Sequence, residues 1–401
     1  MSAFPEDPGH FARFAAERDP SVTPTAFVRR SVYGEYLGHL LADAVASGPN
    51  RLDRVVDGVT GVEPVQSGVI VRTESRGDFR ADHAVLAFGH QPPADPPELP
   101  AALTRSRLYV RDPWAVGALD EVPRDRPVLL VGTGLTMFDI AIDLSARGVS
   151  GAVAVSRRGL TPCPHDPSVP PAAPGHRPED LDRVQTAGEC VRAVRSRVRA
   201  VTAAGGDWRQ VVDSIRPVTP ELWRRLGRRE QDRFLRHARP FWDVHRHRAA
   251  PETAAAIERL RSTEWLTVRA ARITDARPDQ DHVEVRLLPR GGGPKEVQPV
   301  GMVVNCTGPA TTAAVAEANP VIASLFALGL ARPDPLGVGL DVAETGEMIG
   351  ADGNPTVVLS YVGPQVRGRD GEGTAVPELR EHAARVAARL ARVYGGEAGG
   401  G

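Results

Sequence analysis

The feature that most constrains this chain is the run Val128-Leu129-Leu130-Val131-Gly132-Thr133-Gly134-Leu135, followed by an amphipathic stretch that closes at Gly148. A short, wholly apolar strand ending in a glycine turn belongs inside a sheet covered on both faces. A second apolar run, Gly151–Ser156, follows at once. Strand, turn, helix and strand in that order form a βαβ unit, whose two strands lie parallel. Gly132 permits the tight turn, Gly134 lets the backbone approach a pyrophosphate, and the helix start offers unpaired N–H groups and a positive dipole end. The motif therefore points to Gly132, Thr133, Gly134, Leu135 and Thr136 as dinucleotide contacts, with a merely structural turn as the alternative. Met137 replaces the third glycine of the usual fingerprint, so looser packing of helix on strand is expected.

The second strand ends at Ser156-Arg157-Arg158. A fold selecting NADH places a carboxylate near this point for the ribose hydroxyls. Here the position is hydroxylated and cationic, and guanidinium pairs with a 2′-phosphate, so NADPH is expected. Surface arginines in an arginine-rich chain are the competing reading. Two further apolar strands, Ala84–His90 and Val303–Pro309, end in a small residue and glycine on either side of the βαβ unit. With Leu359–Gly368 and a helix starting near Thr374, this order suggests a flavoprotein with an inserted pyridine-nucleotide domain. The start of that last helix, Thr374-Ala375-Val376, can stabilise negative charge developing on a flavin edge.

Composition narrows the rest. The 401 residues are 41% hydrophobic and 25% charged, with a net charge of -1, an ordinary globular balance. Lys+Arg number 49, with Lys295 the single lysine, and 50 Asp+Glu offset them. Arginine pairs such as Arg224-Arg225 and Arg228-Arg229 alternate with Glu221, Glu230 and Asp232, as on a solvated helix face, so no nucleic-acid partner is expected. No apolar run is long enough to span a bilayer and no signal segment opens the chain, so a cytoplasmic protein without a membrane partner is expected. Cys163, Cys190 and Cys306 are too scattered for a disulfide framework or a zinc site.

Along the chain, residues 5 to 46 read as helical, then comes a β-meander, then a proline-rich linker from Gln91 to Pro100. Residues 178–262 are helical and arginine-rich, strands return after Trp265, and a final helix runs to Tyr394 before a glycine-rich tail, 396–401, expected to be disordered. His245 and His247 are two apart, a spacing that points them to different helix faces, and no metal site is expected. His165, on a loop after Pro162-Cys163-Pro164, and Arg380, early in the last helix, are weak catalytic candidates. Cys306 reads as strand packing.

These motifs resemble a bacterial FAD/NAD(P)-binding flavoprotein family, YdhS-type, related to HpyO-type urate hydroxylases and aspartate N-monooxygenases. The resemblance is carried by Phe27–Leu37, Gly132–Gly148, Ser156–His165, Trp208–Trp223, Phe234–Pro251, Asn305–Pro309 and Thr374–Arg380. It implies an α/β fold of two Rossmann-like dinucleotide-binding domains, the NADP domain inserted in the FAD domain and carrying a helical subdomain. On that reading residues 1–100 begin the FAD domain, 101–308 form the NADP domain with the helical insertion at about 178–262, and 309–395 return to the FAD domain. The resemblance implies an FAD- and NADPH-dependent oxidoreductase, a monooxygenase of a small polar substrate in which NADPH supplies hydride to the flavin. Gly132 and Gly134 match the NADPH turn, and Arg157 and Arg158 the 2′-phosphate partners. Gly89, Gly308 and Gly363 match the backbone-approach glycines, and Thr374 to Val376 the flavin-facing helix start. The family opens with a strand and GxGxxG turn for the ADP half of FAD, and this sequence has neither. Either the start is displaced, or this member is a degenerate nucleotide-binding protein that no longer holds FAD.

Overall fold

A computed structural model describes residues 2–47, 51–170, 179–310 and 319–395; the expected disorder of the tail lies outside these. The chain forms two compact units. The first comprises Met1–Gln91, Thr219–Arg224 and Thr311–Gly401, and the second Pro92–Val218 and Arg225–Ala310.

The first unit opens with α1 (His10–Arg18) and α2 (Arg30–Ser47), not with one continuous helical stretch. The break has a local cause. Asp19 precedes Pro20, whose ring disfavours helical geometry in its neighbour, and Asp19 is extended at φ -142°. The two helices pack through Phe11, Phe14 and Ala15 against the fully buried Tyr36. The antiparallel meander follows as β1 (Val59–Val65), β2 (Gly68–Thr73) and β3 (Asp78–Ala81), then β4 (Ala84–Leu86).

The second unit contains α3 (Ala101–Thr104), β5 (Tyr109–Val110), β6 (Val128–Val131), α4 (Leu135–Ala146) and β7 (Ala152–Ser156). The helical block comprises α5 (Ala187–Ala203), α6 (Trp208–Ile215), α7 (Thr219–Arg225), α8 (Arg228–His237), α9 (Arg239–Arg246) and α10 (Pro251–Ser262). Four strands complete the unit: β8 (Leu266–Pro278), β9 (Val283–Pro289), β10 (Glu296–Val300) and β11 (Met302–Asn305). The sheet order is β10-β9-β8-β7-β6-β11-β5, parallel from β8 to β5 and antiparallel at the β8–β9–β10 end. β6 is buried at every residue. Val128 and Leu130 face one core with α4 and α10, while Leu129 and Val131 face the other, with Leu103, Val285 and Leu287. This two-sided burial is what a central parallel strand requires. Met137 lies fully buried in the first of these cores.

The chain re-enters the first unit at α11 (Pro320–Ala327) and continues through β12 (Glu347–Ile349), β13 (Pro355–Tyr361), α12 (Arg367–Asp370) and α13 (Val376–Tyr394). β13 pairs parallel with β4 and antiparallel with β12. A largely buried polar chain ties α13 to this sheet. Arg389 pairs with Glu347 at 3.2 Å and donates to Ser360, and Ser360 lies 2.9 Å from His83. Although α7 belongs by sequence to the helical block, Thr219–Arg224 folds with the first unit. There the Trp223 indole N–H donates to the Gly368 carbonyl at 2.8 Å, and Arg224 pairs with Glu344 at 3.5 Å. Among the described residues no helix is long and apolar enough to cross a membrane.

Candidate functional site

In the second unit the chain leaves β6 for β7 on one side, while β11 flanks β6 on the other. Such a switch in strand order opens a crevice at the carboxyl ends of the strands, where α/β sheets bind ligands. Gly132 and Gly134 follow β6 and Gly308 follows β11, so the sheet brings all three to this end. Their roles differ. At Gly132, φ is +111° and an added Cβ would lie 2.5 Å from the Cys306 carbonyl oxygen, so this glycine lets the end of β11 approach as well as making the turn. At Gly134, and at Gly308 with φ +89°, an added Cβ would meet nothing within 4 Å. The α4 N-terminus has Gly134 as its N-cap and no side-chain cap, so the first-turn N–H groups, including those of Leu135 and Thr136, are left for a ligand or solvent.

Thr133 and Ser156 stabilise the frame of this crevice. Their hydroxyls lie 2.9 Å apart, Thr133 also donates to the Leu160 carbonyl at 2.5 Å, and Ser156 accepts from the Gly159 amide at 3.0 Å. These bonds lock the tip of β7 to the glycine turn, which fixes where the next two residues stand. Arg157 is exposed and, among the described residues, makes no hydrogen bond or ion pair. Arg158 reaches toward the helical block, donating to the Arg236 carbonyl at 3.5 Å with its guanidinium 5.7 Å from the Phe241 ring centroid. Asn305, the first residue of the Asn305–Pro309 segment that carries part of the family resemblance, is fully buried at the end of β11. Its amide donates to the Ala94 carbonyl at 3.0 Å, and its oxygen accepts from the Thr307 amide and hydroxyl at 3.1 and 2.7 Å, shaping the approach to Gly308.

His165 stands on a separate shelf of the same unit. The Cys163 amide donates to the Val244 carbonyl at 2.8 Å, the His165 amide to the Ala249 carbonyl at 2.8 Å, and Arg209 donates to the Pro164 carbonyl. Burial, and then the charge of Arg248, hold the imidazole down to about 4, so it is neutral near pH 7. Burial raises all three thiols, Cys163 among them, Cys190 to about 11 and Cys306 further still. None therefore has thiolate character. His245 stands edge-on to Trp208 with ring centroids 4.9 Å apart, whereas His247 faces Asp243.

In the first unit, α13 also begins without a side-chain cap, at Ala375, with Thr374 before it and Val376 as its first residue. Gly89 is exposed, with open space where a Cβ would be. Gly363 is different. A Cβ there would sit 2.3 Å from the Tyr361 hydroxyl and 3.0 Å from the Phe88 carbonyl, so that side of the backbone is filled by protein. Arg380 donates to the Ser2 carbonyl at 3.1 Å, tying α13 to the N-terminal segment. His382, nearly two turns into α13, is 2% exposed, and among the described residues neither ring nitrogen has a hydrogen-bond partner. Burial, and then Arg369 and Arg385, push it down to about 4.

The residues of the second unit fit a dinucleotide phosphate: open space over Gly134 and Gly308, a helix start with no side-chain cap and, among the described residues, no partner for the Arg157 guanidinium. In the first unit the α13 start fits an anionic flavin edge. The described residues there contain no strand–glycine turn–helix cradle for an ADP pyrophosphate.

Comparison with known proteins bears on the fold and the cofactor class. Residues 1–91, the first segment of the first unit, match a family described as FAD-NAD(P)-binding. No curated protein matches the sequence. Solved structures do. The ornithine N-hydroxylase of Kutzneria sp. 744, solved with reduced FAD, NADP+ and L-ornithine, is 15% identical, with 97% of this chain and 81% of that one covered at a TM-score of 0.60. An L-lysine 6-monooxygenase from Pseudomonas syringae is 16% identical, covering 96% and 81% at a TM-score of 0.62. The ornithine hydroxylase of Pseudomonas aeruginosa in its reduced form is 14% identical, covering 97% and 83% at 0.60. At such identities the likeness is one of fold. The α/β architecture expected from the sequence is the one these two-domain flavoproteins have, and FAD with a pyridine nucleotide is the cofactor pair of the matched family and of the first of these neighbours.

Proposed function

We propose that the chain is an FAD- and NADPH-dependent oxidoreductase of the YdhS-type flavoprotein family, a cytoplasmic monooxygenase of a small polar substrate. The observation that carries this reading is the open space over Gly134 and Gly308 at the uncapped start of α4, with the unpaired Arg157 two residues beyond Val155 of the neighbouring strand. In it, the Leu135 and Thr136 amides hold the pyrophosphate, and Arg157 and Arg158 read the 2′-phosphate. The start of α13, at Thr374 to Val376, faces the flavin and favours negative charge on its edge. When bound, the cofactor pair supplies hydride transfer and oxygen activation, so the chain needs little acid–base chemistry of its own. The neighbours are named for ornithine and lysine, which makes small amines the first substrates to try.

The second reading is a nucleotide-binding protein that does not hold FAD. A visible absorption spectrum of the purified chain, taken before and after FAD and then NADPH are added, separates the two. The proposal expects a protein-bound flavin spectrum that NADPH bleaches under anaerobic conditions. No flavin uptake by a chain that still binds NADPH would replace it with the second reading.

A further inference from the structure

We infer that Phe241, on the helical block, is the stacking platform for the adenine of the bound dinucleotide, an inference that rests on the proposed NADPH site. With the pyrophosphate at the start of α4, the adenosine half runs across the tip of the neighbouring strand, here β7. Hydrogen bonds that join the Thr133 hydroxyl to the Ser156 hydroxyl and to the Leu160 carbonyl fix that tip relative to the glycine turn. Arg158, two residues along, points its guanidinium at Phe241, 5.7 Å from the ring centroid, and is steadied by the Arg236 carbonyl.

Phe241 contributes little to the protein core. It lies near the start of α9, after Pro240, and is 46% exposed, whereas Arg246 on the same helix is buried. The other exposed aromatic side chain among the described residues of the second unit is Trp114, at 55%. Trp114 shares its cavity with Asp120, Asp139 and Asp143 against the single cation Arg147, which already pairs with Asp120 and Asp143, so no cation there is left for a phosphorylated ligand. Phe241 instead stands beside the Arg158 guanidinium, which follows the end of β7. An exposed phenyl face costs free energy in water and gains it when a purine covers it. Base–aromatic stacking of this kind is worth about ten-fold or more in affinity.

The adenine is common to NADPH and NADH and absent from reduced nicotinamide mononucleotide (NMNH), which gives the test. Binding of all three to the full chain is measured by calorimetry or by quenching of tryptophan emission, for wild type, Phe241→Leu and Phe241→Trp. Phe241→Leu, which keeps apolar volume without an aromatic face, is expected to weaken NADPH and NADH by the same factor, about ten-fold. It should leave NMNH unchanged, which also shows that the variant is folded. Phe241→Trp should retain wild-type affinity. Unchanged dinucleotide affinity in Phe241→Leu, or a loss that extends to NMNH, would overturn the inference while leaving the NADPH site standing. If the wild-type chain binds neither dinucleotide, the proposed function falls and the inference falls with it.

Discussion

In each of the two units the strand-end glycines do two different jobs. In the second unit Gly134 and Gly308 face open space at the head of an uncapped helix, and Gly132 alone is spent on packing, against the Cys306 carbonyl. In the first unit the corresponding candidate, Gly363, is closed over by Tyr361 and Phe88, and only Gly89 faces open space. The same residue type at the same kind of strand end therefore leaves open space over the backbone in one case and admits close packing in the other. Sequence cannot separate these, because the difference lies in what a distant segment places above the backbone.

Substitutions at these glycines test the contrast most severely. Gly132→Ala combines a left-handed backbone with a Cβ 2.5 Å from a carbonyl oxygen, and should cost about 3 kcal/mol or more in denaturant unfolding of the second unit. A loss below about 1 kcal/mol would show that β11 does not approach this closely.

The two buried imidazoles come next. His382 and His165 are both held down to about 4, so each is neutral when folded, and each takes up a proton on unfolding below pH 6.5. The stability this gives is fully present above pH 6.5 and is lost as pH falls toward 4. His382, 2% exposed, should account for about 3 kcal/mol of that loss, and the half-buried His165 for less because solvent screens it. Comparing unfolding at pH 7.5 and pH 4.5 in wild type and His382→Leu checks this. The variant should lose markedly less stability on acidification, and equal losses would remove His382 from the account.

Gly371→Ala addresses the piece of helix that folds with the first unit. Gly371 has φ +73° and an added Cβ would lie 2.9 Å from Trp223 Cγ, so the substitution should cost about 2 kcal/mol and shift the tryptophan emission. Unchanged emission would mean that Trp223 is not seated there. The smallest effect on folding is expected at Gly134→Ala. Its φ of -85° suits alanine and its surroundings are empty, so stability should change by less than about 0.5 kcal/mol. NADPH affinity should still fall about ten-fold, because the new methyl group occupies the approach to the helix N–H groups.

Much of the fold was legible in local pattern. The apolar run at β6, its glycine turn and the amphipathic α4 specify a βαβ unit without help from the rest of the chain, and the final helix at α13 follows from its periodicity. What escaped depended on long-range partners. Ser156, expected with Arg157 and Arg158 at the cofactor from its place at the end of β7, also has its hydroxyl engaged by Thr133 and Gly159. Trp223 looked like part of the arginine-rich block until its indole was found on Gly368. Phe241 carried no signal, since a phenylalanine in an amphipathic helix reads as core until its exposed face is seen. The break between α1 and α2 was available, because Asp19-Pro20 spells it out, but helical periodicity on both sides masked it.

The central claim is that the crevice beside Gly134 is an NADPH site read by Arg157 and Arg158. It is tested most directly by titrating NADPH and NADH into the wild-type chain and into the Arg157→Ala/Arg158→Ala variant. The account predicts that wild type prefers NADPH by about ten-fold or more, and that the variant loses this preference while its NADH affinity is little changed. Equal affinity for the two nucleotides in wild type, or a preference for NADPH that survives the double substitution, would contradict it.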